Sequence, residues 1–221
     1  MRLQAFILDL DGVLTNTAEY HFRAWLRLAE EEHVPFNREK NEQLRGVSRR
    51  CSLEILLGEA LPRYSEAQIQ AMMARKNTYY REMLQQITSD DFLPGAQELL
   101  RGLRARGLKI AIGSASKNTP LVLERLGILN AFDAIADGNS VARSKPAPDV
   151  FLHAADLLHT SPAQCAVVED AQSGIAAALA AKMFAVGIGP QERVGQAHLR
   201  YPDTARIDLE EILTTFEQHQ T

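Results

Sequence analysis

Short apolar runs alternate with helical patterns over the second half of the chain, and this alternation restricts the fold more than any other feature. From about residue 92, buried strands are predicted at 108–113, 134–136, 166–168 and 183–188, with helices near 95–106, 119–127, 148–158 and 172–181. Strands joined through helices pair in parallel, and a parallel sheet needs helices on both faces. With a further strand at 4–9, the sequence predicts an α/β protein built on a doubly wound, Rossmann-like parallel sheet.

Residues 17–88 differ from the rest because they contain helical patterns and no convincing strand. A Ser65-x-x-Gln68 capping box opens a long helix that extends toward Ile87. Another helix is predicted over 18–33, with an apolar face formed by Phe22, Trp25, Leu26 and Ala29. We therefore predict a catalytic core of residues 1–16 and 89–221 and a small, inserted, all-helical cap of residues 17–88. The connecting segments, 14–17 and 88–94, are expected to lie side by side and to permit a hinge.

Charge and cysteine usage exclude several classes of partner. A formal net charge of −4 argues against a nucleic-acid or anionic-membrane surface. The longest apolar candidate, 175–189, contains Lys182 and is too short for a membrane span. Cys51 and Cys165 form no CxxC pair, so a disulfide framework is not expected. We expect a cytoplasmic, monomeric protein that acts on a small molecule.

The first predicted strand ends in two carboxylates, Asp9 and Asp11, and Gly12 follows. Side chains alternate along a strand, so both carboxylates project to the same side with Cα atoms roughly 6.5 to 7 Å apart. That spacing suits a nucleophile at Asp9 and a proton-exchanging partner at Asp11. For an isolated motif of this kind, a solvated Asp-Gly turn at a strand end is the competing interpretation.

Three further polar clusters follow predicted core elements, and they favour the catalytic interpretation. They are Ser114–Asn118 after the 108–113 strand, Ser144–Asp149 in the next unit, and Glu169-Asp170 after the 166–168 strand. Each cluster alone is typical of a helix N-cap or of a solvent-exposed polar surface. Because the carboxyl ends of parallel strands meet at one edge of a sheet, all of them converge on one crevice, where such sheets bind ligands.

In chain order, Asp9-x-Asp11-Gly12, the strand ending at Ser114, Lys145-Pro146 and Glu169-Asp170 resemble the haloacid dehalogenase-like superfamily, and the inserted helices are similar to its small cap domain. Within it, two segments resemble the β-phosphoglucomutase family more specifically: Gly46-Val47-Ser48-Arg49 and Ser114-Ala115-Ser116-Lys117-Asn118. The resemblance implies an intramolecular phosphotransferase of carbohydrate metabolism. Such an enzyme isomerises β-D-glucose 1-phosphate to glucose 6-phosphate through a phosphoaspartate and a glucose 1,6-bisphosphate intermediate, with Mg²⁺ as cofactor.

The same resemblance implies a role for each matching residue. Asp9 would accept the phosphoryl group, and Asp11 would act as the general acid and base. Mg²⁺ would be held by Asp9, Asp170 and the backbone carbonyl of Asp11, with Glu169 tuning the site. Ser114 and Lys145 would hold the transferring phosphoryl oxygens. Arg49 would grip the non-reacting phosphate, and the remaining substrate-binding residues implied are Thr17, His21, Gly46, Val47, Ser48, Ser52, Lys76, Ala115, Ser116, Lys117 and Asn118.

Two positions depart from the family pattern. Asn16 stands where Asp is common, and as a helix N-cap Asn is nearly equivalent to Asp, so we expect a small effect on the hinge. Arg50 follows Arg49 where an acidic residue is more usual, and this extra positive charge leaves the exact sugar open.

Two alternative functions use related chemistry. A sugar-phosphate phosphatase of the same fold would hydrolyse the Asp9 phosphoenzyme, but it needs no second phosphate grip such as Arg49 with Ser116–Asn118. A non-enzymatic receiver module also combines a phosphorylated Asp with Mg²⁺ and a Lys. Receivers are shorter and lack both the helical insertion and the second aspartate.

Overall fold

A computed structural model describes residues 2–219 of the chain, and its six strands form one parallel sheet in the order β3-β2-β1-β4-β5-β6. The strands are β1 (Ala5–Leu8), β2 (Lys109–Gly113), β3 (Ala134–Ala136), β4 (Cys165–Glu169), β5 (Phe184–Ile188) and β6 (Leu199–Tyr201). The predicted doubly wound parallel sheet is confirmed. The short edge strand β6 was not predicted.

Helices cover both faces of the sheet and fill the chain between β1 and β2. They are α1 (Ala18–Glu31), α2 (Arg38–Glu42), α3 (Arg49–Leu57), α4 (Glu66–Leu84), α5 (Ala96–Ala105), α6 (Thr119–Arg125), α7 (Asp149–Leu157), α8 (Gln172–Ala180), α9 (Gln191–Val194) and α10 (Leu209–His219). None of the helices between residues 2 and 219 has the length and apolar character that crossing a membrane requires.

Strand β1 lies at the centre of the sheet because its side chains are apolar on both faces. All four residues are buried. Phe6 and Leu8 join the core on the side of α5 and α10, whereas Ala5 and Ile7 join the core on the side of α7 and α8. The central position places the residue after β1 in the middle of the sheet's carboxyl edge.

The helical segment, α1–α4, has its own apolar core, to which Trp25, Leu28, Leu53 and Ile69 contribute. Ser65 and Gln68 form the predicted capping box, with the backbone N–H of Ser65 donating to Gln68 Oε1 at 2.8 Å. The predicted apolar face of α1 needs one correction. Leu28 is buried, although it was not part of that face, and Leu26 is only half-buried, although it was predicted to belong to it.

The two segments that join the helices to the sheet are hydrogen-bonded to each other. Leu93 N donates to Leu14 O at 2.9 Å, and the Thr15 hydroxyl donates to Asp91 O at 2.7 Å. Asn16 is exposed and is not a helix cap, because α1 begins after Thr17. The expectation that Asn16 acts as an N-cap is therefore wrong.

Candidate active site

The register of the sheet brings the predicted motifs to one edge. Leu8 pairs with Ile112 on one side and with Val168 on the other, so Asp9 lies level with Gly113 and Glu169, and Ser114 follows one residue further along its strand. Gly12 then turns the chain at φ 87°, and a Cβ atom there would lie 2.3 Å from Asp170 Oδ2. Only glycine permits this close approach of the first loop to Asp170.

Three buried carboxylates, those of Asp9, Glu169 and Asp170, form a cluster in which one oxygen of each lies within 4.8 Å of the others. Lys145 Nζ donates to Asp9 Oδ1 at 2.7 Å and to Glu169 Oε1 at 2.5 Å. The second oxygen of Glu169 accepts the backbone N–H of Ala171 at 2.7 Å. A single ammonium group thus holds two of the three carboxylates.

The cluster is electrostatically strained because its negative charges are buried together. Burial and the nearby charge of Asp9 raise the pKa of Glu169 to about 8 and that of Asp170 to about 7. Burial opposes the charge of Lys145, but Asp9 and Glu169 outweigh it and raise the pKa of Lys145 above its usual value. Oxygen donors with an excess of negative charge are what a hard cation such as Mg²⁺ prefers, so these residues fit that ion.

Asp11 lies beside the cluster, and its Oδ1 atom is buried without a hydrogen-bond partner within residues 2–219. Burial, followed by the charge of Asp9, raises the pKa of Asp11 to about 7. His21 Nε2 lies 3.9 Å from Asp11 Oδ2, and Lys76 Nζ lies 2.7 Å from His21 Nδ1. The helical segment therefore approaches Asp11 through a histidine that is stacked on Tyr80 with ring centroids 3.9 Å apart.

The opposite end of the crevice carries an arginine without a counter-charge. Arg49 is half-buried, its Nη2 atom donates to the amide oxygen of Asn77 at 2.7 Å, and no carboxylate of the described chain forms an ion pair with it. Asn118 Nδ2 donates to the same Asn77 oxygen at 2.9 Å. Burial lowers the pKa of Arg49 below its usual value. A cation in this setting gains from any anion that enters the crevice.

Arg50, whose extra positive charge leaves the identity of the sugar undetermined from the sequence, is paired with carboxylates of the protein. Its Nε atom donates to Glu54 at 2.6 Å, and its Nη1 atom donates to the two oxygens of Glu66 at 2.5 and 2.7 Å. The extra positive charge of Arg50 is therefore balanced by two carboxylates, whereas Arg49 has no carboxylate partner among residues 2–219.

A cavity of about 510 Å³ joins the two ends of the site. Most predicted residues line it: Asp9, Asp11, His21, Gly46, Val47, Ser48, Arg49, Ser52, Lys76, Ser114, Ala115, Ser116, Lys117, Lys145 and Asp170. Thr17, Asn118 and Glu169 are buried but do not reach its wall.

Two residues of this site have no role predicted from the sequence. Asn77 holds Arg49, and Arg45 forms an ion pair with Asp170 at 2.9 Å. Each is next in sequence to a predicted site residue, Asn77 to Lys76 and Arg45 to Gly46.

Comparisons with known proteins agree with this geometry. A family model described as haloacid dehalogenase-like hydrolase matches residues 3–182. Over 220 residues the chain is 44% identical to the beta-phosphoglucomutase of Bacillus subtilis (strain 168), covering 99% of this chain and 97% of that protein. The crystal structure of beta-phosphoglucomutase from Clostridium difficile matches with a TM-score of 0.94 and 40% identity over 99% of both chains.

A more distant relative has a hydrolytic name. The chain is 27% identical over 219 residues to the phosphorylated carbohydrates phosphatase of Thermotoga maritima, covering 98% of this chain and 99% of that protein.

Proposed function

This chain belongs to the haloacid dehalogenase-like hydrolase family, and we propose that it is a β-phosphoglucomutase that converts β-D-glucose 1-phosphate to glucose 6-phosphate. The observation that carries the proposal is the two-ended cavity. One end holds Asp9 with the cations and carboxylates of phosphoryl transfer, and the other holds Arg49, which has no ion-pair partner in residues 2–219. A substrate that carries a phosphate position at each of its two ends would place one at Asp9 and the other at Arg49.

Asp9 is the proposed phosphoryl acceptor. Its carboxylate attacks phosphorus and becomes an acyl phosphate, and the bond from phosphorus to the sugar oxygen breaks. Lys145 Nζ donates to Asp9 Oδ1 at 2.7 Å and offers a positive charge to the transferring phosphoryl oxygens. Ser114 is buried at the end of β2, where its hydroxyl faces the same crevice.

Asp11 is the proposed general acid and base. When the phosphoryl group moves from the sugar to Asp9, Asp11 protonates the sugar oxygen that leaves. In the reverse direction, Asp11 deprotonates the sugar hydroxyl that attacks the phosphoryl group on Asp9. A pKa of about 7 suits both directions of transfer, because the protonated and ionised forms are both accessible near neutral pH. Its contact with His21 ties this proton exchange to the position of the helical segment.

Mg²⁺ would be held by Asp9, Asp170 and the backbone carbonyl of Asp11, with Glu169 adjusting their charge. When bound, it supplies positive charge to the phosphoryl oxygens as they transfer. The carboxylates of Asp9 and Glu169 keep Lys145 ionised and hold its ammonium group between them.

Glucose 1,6-bisphosphate is the proposed intermediate and activator. Phosphorylated Asp9 would give its phosphoryl group to the C6 hydroxyl of glucose 1-phosphate while Arg49 holds the 1-phosphate. The bisphosphate would then bind in the reverse orientation and return the 1-phosphoryl group to Asp9. Arg49 serves both halves of the reaction because the group that it holds is a phosphate each time.

Closure of the helical segment as a cap on the core would exclude water, which competes with the sugar hydroxyl for phosphorylated Asp9. The paired connections at Leu14–Leu93 and Thr15–Asp91 are the proposed hinge. Cytoplasmic location and a monomeric state remain predictions from the sequence.

A sugar-phosphate phosphatase is the second candidate, because the Thermotoga maritima relative carries that name. The two functions separate in one experiment. Purified enzyme is given β- or α-glucose 1-phosphate, with and without glucose 1,6-bisphosphate, and glucose 6-phosphate and inorganic phosphate are measured together. Formation of glucose 6-phosphate from the β anomer, stimulated by the bisphosphate, supports the mutase. Stoichiometric release of inorganic phosphate without glucose 6-phosphate would establish the phosphatase.

A further inference from the structure

Arg45, at the end of the loop between α2 and Gly46, reaches the acidic cluster from the helical segment. Its Nη1 atom donates to Asp170 Oδ2 at 2.9 Å, and the Asp170 side chain is only 7% exposed. Asp170 is a carboxylate that the proposed Mg²⁺ site requires. A guanidinium and a divalent cation therefore compete for the charge of the same side chain.

The backbone around Arg45 is fastened to the core beside this pair. The Ser173 hydroxyl donates to Arg45 O at 2.9 Å. A Cβ atom on Gly46 would lie 2.5 Å from Ser173 Oγ and 2.9 Å from the Ala171 side chain, so the loop could not sit this close with a larger residue. Glu42 adds a further link through its 3.3 Å contact with Arg193.

The Arg45–Asp170 pair also separates two cavities. The substrate cavity and a second cavity of about 520 Å³, bounded by Gly12, Arg193 and Asp203, share Arg45 and Asp170 as wall residues. The Arg45 side chain is 25% exposed, and besides its contact with Asp170 its Nε atom donates to Glu42 Oε1 at 3.1 Å, so a rotation that released Asp170 would leave the guanidinium next to the Glu42 carboxylate. The second cavity gives a displaced guanidinium space, and Asp203, one of whose carboxylate oxygens accepts the backbone N–H of Arg206, borders that space.

We propose that Arg45 is a positioning residue that competes with the divalent cation for Asp170 and thereby links cation binding to the seating of the helical segment. In the cation-free protein the guanidinium balances the charge of Asp170, while the Ser173 hydroxyl holds the backbone of the same residue at Arg45 O. When a cation binds, Arg45 gives up Asp170, turns into the second cavity, and weakens the seat of the loop. This inference rests on the proposed Mg²⁺ site.

Isothermal titration of Mg²⁺ into the phosphate-free protein tests the competition directly. Arg45→Ala and Arg45→Gln should each bind Mg²⁺ at least about threefold more tightly than the wild type, because a positive charge adjacent to the ligand is removed. Arg23→Ala is the matched control. It also deletes one arginine, but one that pairs with Glu19 on the outer face of α1, and its Mg²⁺ affinity should equal that of the wild type.

Asp170→Asn separates failure of this inference from failure of the metal site. Loss of Mg²⁺ binding in Asp170→Asn, together with tighter binding in both Arg45 variants, supports the proposal. Loss in Asp170→Asn with unchanged or weaker binding in the Arg45 variants would overturn the role of Arg45 alone. Wild-type affinity in Asp170→Asn would overturn the metal site itself. A crystal structure with Mg²⁺ bound should also show Arg45 away from Asp170, and an intact ion pair there would refute the displacement.

Discussion

Replacement of Arg49 by Ala tests the second phosphate grip, which distinguishes a mutase from a phosphatase on this fold. The guanidinium is half-buried in the crevice, is bonded only to a neutral amide at 2.7 Å, and has no ion-pair partner among residues 2–219. Its binding energy is therefore available for a phosphate of the substrate. Arg50, the next residue, is already paired with Glu54 and Glu66 and provides a matched arginine-to-alanine control.

The size of the effect follows from the two hydrogen bonds that an arginine fork makes to a phosphate. Hydrogen bonds to charged groups contribute about 1.5–3 kcal/mol each. Because Arg49 is only half-buried, we take the lower end for both bonds, or about 3 kcal/mol in total. At about 1.4 kcal/mol per factor of ten, Arg49→Ala should lower kcat/KM for β-glucose 1-phosphate by roughly a hundredfold.

The assay measures mutase turnover and hydrolysis of the phosphorylated enzyme in parallel for wild type, Arg49→Ala, Arg49→Lys and Arg50→Ala. Hydrolysis by water needs no second phosphate grip, so it should change little in any variant. Lysine should restore part of the mutase activity, since an ammonium lacks the planar fork. Arg50→Ala should stay near wild type. Equal losses of both activities in Arg49→Ala would mean that Arg49 supports the fold or the chemistry in general, and the reasoning would be refuted.

Three further outcomes are expected. Asp9→Asn should abolish turnover with an unchanged circular dichroism spectrum, and intact-protein mass spectrometry should find no phosphoenzyme; a phosphorylated residue elsewhere would contradict the role of Asp9. Asp11→Ala should lower kcat by at least about a hundredfold with a smaller effect on substrate binding, as loss of a general acid and base requires, whereas a collapse of affinity with kcat preserved would oppose it. Burial, followed by the charge of His219, lowers the pKa of His198 below its usual value of 6.5, so as pH falls below 6.5 the unfolded chain takes up a proton at this position more readily than the folded protein and stability is lost; chemical denaturation at pH 8 and pH 5 should therefore show a smaller loss of unfolding free energy in His198→Gln than in the wild type, and an identical loss would argue against this contribution.

The sheet was predictable from the sequence because its central strands are buried on both faces. Such strands appear as unbroken apolar runs, and those at Ile110–Ile112 and Val186–Ile188 were found at nearly their observed positions. Strand β6 was missed because it is three residues long and its middle residue, Arg200, is exposed. Nothing local distinguishes such an edge strand from a loop. Helix α10 was passed over, although Leu209, Ile212, Leu213 and Phe216 have the spacing of an apolar helix face.

The site was predictable where its residues follow strands and less so where they depend on contacts between distant segments. Asp9, Ser114 and Glu169 are positioned by strand ends, which the sequence reveals. The pairing of Arg50 with Glu54 has the i,i+4 spacing of a helix, but its contact with Glu66 spans sixteen residues, and no local pattern predicts it. The pairing of Arg45 with Asp170 spans 125 residues and joins the helical segment to the sheet edge. The catalytic and binding roles of these residues remain predictions.

Three contacts, at Asp11, Arg49 and Arg45, connect the helical segment to the core around the proposed active site. Asp11 on the core contacts His21 of α1, Arg49 of α3 is held through Asn77 by Asn118 of the core, and Arg45 pairs with Asp170. Each link therefore joins a core loop to a different part of the segment. A substrate with two phosphate positions would strengthen the Arg49 link, whereas a cation would weaken the Arg45 link. Full seating of the segment over phosphorylated Asp9 would then depend on the substrate, which is the condition under which a sugar hydroxyl is favoured over water.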